Sequence, residues 1–206
     1  EESAVGAAVD KRRREYATVR RCAREALAAL GLPPVPVLSG PRREPLWPAG
    51  VVGSLTHCAG YRAAALARVG DVASIGVDAE PNEPLPAGVL ATIALPEEVA
   101  WTTELAGSDG AGGVAGGVAG GVGVCWDRLL FSAKESVYKA WYPLARRWLG
   151  FEEARITVDP AGRAFAAELL VEGPTLADGR PLTGFSGRWL VDRGLVVTAI
   201  TVPAPR

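Results

Sequence analysis

The chain of 206 residues carries 22 Lys/Arg against 23 Asp/Glu, a net charge of −1, with 49% apolar and 22% charged residues. That is the profile of a globular protein, long enough for one domain or two small lobes. No run approaches the roughly 20 apolar residues of a membrane span, and one histidine with three scattered cysteines, Cys22, Cys58 and Cys125, argues against a zinc site. The first residues lack the charged-then-apolar order of a secretory signal, so a reduced, cytoplasmic protein is expected. Charge is unevenly spread. Residues 1–50 hold nine basic against six acidic side chains, and residues 71–110 hold eight acidic and no basic ones. The basic N-terminus has neither aromatic interleaving nor a recognition motif, which argues against a nucleic-acid partner.

From Lys11 to Leu30, Tyr16, Val19, Ala23, Leu27 and Leu30 recur at helical spacing, and Gly31 with Pro33 ends the run. "PVPVLSGPRREPLWPAG" reads as extended or looped. "VVGSLTH", "YRAAALARV" and "VASIGVDAE" read as strands parted by Gly-containing turns. Pro96 opens a short helix through Trp101 to Leu105. The Gly/Val tract at 106–124 has a GGVA repeat and no charge after Asp109, too little apolar area to offset its backbone entropy. It is expected to be a mobile insertion. As a phosphate loop it would lack the Lys-Ser/Thr ending. Asp127 is expected to cap a helix from Arg128 toward Trp148, kinked or broken near Pro143. Four strands follow, "ARITVD", "RAFAAELLV", "FSGRWLVD" and "LVVTAITV". Strands on both sides of a long helix indicate an α+β fold.

Two segments carry the chemistry. In "SIGVDAEP" the strand period sends Ile75, Val77 and Ala79 to one face and Gly76, Asp78 and Glu80 to the other. The second face sets two carboxylates side by side, over a glycine expected to leave room above the backbone. A hard divalent cation such as Mg²⁺ or Mn²⁺ would relieve their repulsion. In "FSAKESVYKAWYPL" the helical period puts Phe131, Glu135, Tyr138 and Tyr142 on one stripe. Two of the chain's three lysines, Lys134 and Lys139, flank that glutamate. Glu135 is then a third ligand. The other reading is a solvent-exposed strand end and an ordinary i,i+4 surface pair, Glu135 with Lys139. Magnesium sites of this kind hold phosphates. Candidate phosphate partners are the arginines of the first helix, the loop arginines Arg42 and Arg43, and His57 with Ser54 and Thr56 nearby.

"PLWPAGVVGSLTHC", "IGVDAEP" and "FSAKESVYKAW" together resemble the signature stretches of 4'-phosphopantetheinyl transferases. The kind is the two-lobed monomer of surfactin, enterobactin and actinobacterial polyketide or siderophore synthesis. The resemblance runs from about Lys11 to Phe151, and Ala79 stands where an isoleucine is commoner. It implies two similar α+β lobes related by a pseudo-twofold, residues 1–74 and 75–206, with the insertion 106–124 in the second. It implies transfer of the phosphopantetheine arm of coenzyme A to a serine of an acyl or peptidyl carrier protein, releasing 3',5'-ADP. Carried over by motif, Asp78, Glu80 and Glu135 would hold Mg²⁺, and Glu135 is the candidate base for the serine proton, directly or through a metal-bound water. Lys134 and Lys139 face the phosphates. His57, with Ser54 and Thr56 beside it, meets the 3'-phosphate together with Arg12 and Arg20, and Arg43 and Pro45 flank the adenine. Rival readings are a Mg²⁺-dependent phosphodiesterase or nucleotidyl transferase, and a non-catalytic carrier- or nucleotide-binding module.

Overall fold

The computed structural model describes residues 10–110 and 123–204, with the side chains of 10–13 and 109–110 outside that description. Helix α1, Asp10–Ala29, presents Val19, Ala23 and Leu27 on one buried stripe. Gly31, at φ +73°, makes the left-handed turn that ends it. Two residue pairs, β1 (Leu38–Ser39) and β2 (Pro45–Leu46), close a small hairpin over the proline-rich stretch. β3 (Val51–Cys58) and β4 (Tyr61–Arg68) form a second antiparallel hairpin, against which α1 packs. Ala23, Leu27, Val37 and Val51 are the heart of this apolar cluster.

β5 (Val72–Pro81) belongs to a different sheet. It is the edge strand of a five-stranded antiparallel sheet in the order β5-β9-β8-β7-β6. The others are β6 (Ala154–Asp159), β7 (Ala164–Leu169), β8 (Gly184–Asp192) and β9 (Leu195–Pro203). β8 and β9 alternate buried and exposed residues, as a sheet covered on one face requires. The cover is α4, Trp126–Ala145, whose Trp126, Leu129, Leu130, Val137 and Trp141 enter the larger apolar cluster with Ile156, Phe165, Trp189 and Ile200. Trp126 meets Trp189 edge to face at 5.6 Å. Helices α2 (Val89–Ile93) and α3 (Pro96–Gly110) precede it. No described helix is long and apolar enough to cross a membrane.

The α+β expectation holds, and so do β3 to β9, with small shifts at their ends. Four details differ. α2 was not anticipated. α3 runs to Gly110 rather than stopping near Leu105, and residues 111–122 of the Gly/Val tract lie outside the described residues. Asp127 does not cap α4. Cys125 occupies the cap position, and Asp127 in the first turn accepts the Leu85 amide at 2.8 Å, pinning the preceding loop. Gly76 does not open space for a ligand. A Cβ there would overlap the backbone carbonyl of Ser136, so the glycine lets α4 lie directly on β5.

Candidate active site

β3 lies along the free edge of β5, and the seam between them is made by side chains. Ser54 Oγ accepts the Val77 amide at 3.0 Å, and Thr56 Oγ1 accepts the Ala79 amide at 2.9 Å. Both hydroxyls are buried. Backbone amides on a buried sheet edge must find an acceptor, and two hydroxyls of the neighbouring hairpin supply it. The seam brings His57, next in β3, to the same end of the molecule as Asp78. The charges of Asp78, Lys139, Arg62 and Glu15 all act on the imidazole. His57 is exposed at the rim, yet the protein around it holds its pKa below the ordinary histidine value, chiefly by desolvation.

Asp78 is 4% exposed. Its Oδ1 accepts Thr56 Oγ1 at 3.2 Å and Lys139 Nζ at 2.6 Å. Lys139 also donates to the Val77 carbonyl at 3.1 Å. Asp78 Oδ2 is buried and has no hydrogen-bond partner among the described residues. Leaving a buried acceptor unmade costs about 1–3 kcal/mol, and more for a charged one. Glu80 accepts Arg128 Nη1 at 3.2 Å, and the same guanidinium binds the carbonyls of Glu83 and Pro84 at 2.9 Å each. Glu135, one turn before Lys139 on α4, completes the group. Burial first, and the charge of Asp78 as well, hold the Glu135 carboxyl above its ordinary pKa, against the pull of Lys139. Glu80 is raised likewise by burial and by Asp78, and it also feels Glu135. Each of these two acids therefore senses Asp78 across a partly desolvated space.

Beside Glu135 lies a cavity of about 190 Å³ lined by Tyr138, Trp148, Leu149, Phe151 and the stem of Lys134. Trp148 is 61% exposed and packs on Tyr138 at 4.9 Å between ring centroids. The charges of Arg42 and Glu44, at the tip of the β1–β2 hairpin, reach the Tyr138 phenol. Arg43, in the same tip, is exposed and held at φ +66°, uncommon for a non-glycine residue. Pro45 opens β2 and is half-buried.

Several expected roles are corrected by these placements. Lys134, expected to face the phosphates, is turned into the protein interior instead. It is 2% exposed, with its ammonium on Glu98 at 2.7 Å and on the carbonyls of Phe151 and Ala154 at 2.7 and 3.0 Å. Arg20 is also committed elsewhere. It is 4% exposed, donates to the Val37 carbonyl and Ser39 Oγ at 2.8 Å each, and stacks on Tyr16. Ser54 and Thr56 serve the seam. The Arg12 side chain lies outside the described residues. Asp78, Glu80 and Glu135 share one electrostatic neighbourhood, but among the described residues no three such side chains are gathered closely enough to hold an ion as placed. Lys139 and Arg128 take oxygens of two of them.

Arg128 and Glu98 were missed. Arg128 had a signal, because an arginine in the first turn of a helix faces the positive end of the macrodipole and calls for an acidic partner. Glu98 had one too. It is the third residue of α3, where a glutamate reaches back to cap, and its Oε2 accepts the Leu95 amide at 2.7 Å. Its other oxygen accepts the Ile156 amide at 2.7 Å.

Two family models match the chain. The 4'-phosphopantetheinyl transferase N-terminal domain covers residues 1–67, and the 4'-phosphopantetheinyl transferase superfamily covers residues 74–186. Among curated proteins, the chain is 57% identical to the 4'-phosphopantetheinyl transferase Svp of Streptomyces mobaraensis, over 98% of this chain and 76% of that one. It is 49% identical to the 4'-phosphopantetheinyl transferase PptT of Mycobacterium tuberculosis, over 96% of this chain and 82% of that one. The corresponding enzyme Npt of Nocardia iowensis is 50% identical over 97% and 86%.

Proposed function

The chain belongs to the 4'-phosphopantetheinyl transferase superfamily and modifies carrier proteins with the phosphopantetheine arm of coenzyme A, and we propose that Asp78, Glu80 and Glu135 are the residues that carry the reaction. The observation behind this reading is the buried Oδ2 of Asp78, which has no partner among the described residues, with two further carboxylates that feel its charge. The donor set suits a hard cation, since it offers carboxylate oxygens and no sulfur. Mg²⁺ or Mn²⁺ would be held by Asp78, Glu80 and Glu135. When bound, the ion supplies positive charge to the pyrophosphate oxygens.

The chain's own residues do the rest. Glu135 takes the proton of the carrier serine as its oxygen attacks the β-phosphorus of coenzyme A. The bond to the α-phosphate oxygen breaks and 3',5'-ADP leaves. Desolvation holds the Glu135 carboxyl above its ordinary pKa in the metal-free protein, and a bound cation would pull it back down, so Glu135 would act as the ionised acceptor of the proton. Lys139 sets a compact positive charge at the same place and follows the phosphate as its geometry changes. The apolar cavity beside Glu135 seats the carbon-rich arm. His57 at the rim meets the 3'-phosphate, and Arg43 and Pro45 of the hairpin flank the adenine. On this reading residues 1–74 form the coenzyme A lobe and residues 75–206 the metal and catalytic lobe of a cytoplasmic monomer.

Glu135→Gln tests it, since it keeps shape and removes charge and basicity. Turnover should fall by a factor on the order of 10²–10⁴, the usual range for losing a general base, and a Mg²⁺ titration should recover little of it. Near-normal turnover at ordinary Mg²⁺ would place Glu135 outside the reaction.

A further inference from the structure

We propose that Thr56 is a positioning residue for the metal-binding carboxylate, its hydroxyl fixing Asp78 so that Oδ1 faces the protein and Oδ2 alone faces the cation. The proposal rests on the reading of Asp78 as a cation ligand. Thr56 is 3% exposed on β3, and Asp78 is 4% exposed on β5. The Thr56 hydroxyl accepts the Ala79 amide at 2.9 Å. Its own proton then goes to Asp78 Oδ1 at 3.2 Å. Lys139 donates to that same oxygen at 2.6 Å.

The terminal torsion of an aspartate is broad, so an unheld carboxylate has no fixed plane. Here Oδ1 is held from two sides, by a hydroxyl on one strand and an ammonium on a helix. Turning the carboxylate out of this plane would lose both bonds, and the oxygen directed away from Thr56 and Lys139, Oδ2, has no hydrogen-bond partner among the described residues. Partners that orient a metal ligand typically contribute 10–100-fold in metal affinity. Ser54 supplies the internal control. It makes the equivalent backbone bond two residues earlier, to the Val77 amide at 3.0 Å, and touches no carboxylate among the described residues.

The experiment is a Mn²⁺ titration of the full chain without coenzyme A, reading the free ion by electron paramagnetic resonance. Wild type should bind Mn²⁺ and Asp78→Asn should lose it. Thr56→Val should weaken binding about tenfold or more, the usual loss for such a partner. Thr56→Ser should restore it, and Ser54→Ala should stay at the wild-type level. Should Thr56→Val fail to fold, Thr56→Cys makes the same comparison with a weak thiol donor in place of the hydroxyl. Wild-type affinity in Thr56→Val or Thr56→Cys, or an equal loss in Ser54→Ala, overturns the positioning role and leaves the cation site standing. A wild type that binds no Mn²⁺, or Asp78→Asn with undiminished affinity, overturns the cation reading and this proposal with it.

Discussion

At the scale of single residues, two lysines on either side of one glutamate have opposite placements, and helical geometry separates them. Lys139 lies four residues after Glu135, on the same face, and reaches Asp78. Lys134 is one residue before it, about 100° round the helix, and points into the core. The sequence signalled that lysines mattered here, but the motif alone hid which one faces the site. The period of 3.6 would have separated them. His57 carries a pH signature. Desolvation keeps its pKa below the free value, which favours the neutral imidazole in the empty protein. A phosphate dianion beside it favours the protonated form. Coenzyme A binding should therefore take up protons near pH 7, and affinity should rise as pH falls from 8 toward the depressed pKa. Calorimetry in buffers of different ionisation heat should show this uptake shrink in His57→Gln. Unchanged uptake would remove His57 from the phosphate site.

At the scale of elements, α4 is the platform, and its inner face explains its position. Ser132, Ser136 and Ala140 are small, Gly76 beneath them has no side chain, and Thr198 of β9 bonds both serines at 2.9 and 2.6 Å. That close seating sets Glu135 and Lys139 over β5. The helix and the seven longer strands were legible because their periods run for six residues or more. α2 and the β1–β2 hairpin were not, because five residues and two residue pairs are too short to show a period. The far side of α4 is held by the Lys134–Glu98 pair, both side chains essentially buried. Removing one partner leaves an uncompensated buried charge. Lys134→Met should cost about 3–5 kcal/mol of stability, whereas Lys134→Met with Glu98→Leu should recover most of it. Denaturant unfolding measures this. If Lys134 is structural, the double variant should also keep turnover near wild type, and loss of turnover in a fully stable double variant would return Lys134 to the chemistry.

At the scale of the whole molecule, two apolar clusters meet along a seam that is polar by construction. Ser54 and Thr56 join the β3–β4 hairpin to the edge of the five-stranded sheet, and Asp78 with the groups proposed to carry the reaction stands beside that join. The sequence named Asp78, Glu80, Glu135, His57 and Lys139 from motif spacing. It did not show that Thr56 belongs to Asp78 or Arg128 to Glu80, because those contacts cross 22 and 48 residues of chain. Tertiary proximity of that kind leaves no local period. The account stands or falls on transfer itself. An apo-carrier protein incubated with the chain, coenzyme A and Mg²⁺ should gain about 340 Da by intact mass, the arm having become covalently attached to its serine. The same mixture should release 3',5'-ADP, and neither product should form with chelator or with Asp78→Asn. A carrier that stays unmodified with the wild-type chain, or one modified equally well by Asp78→Asn in excess chelator, would contradict it.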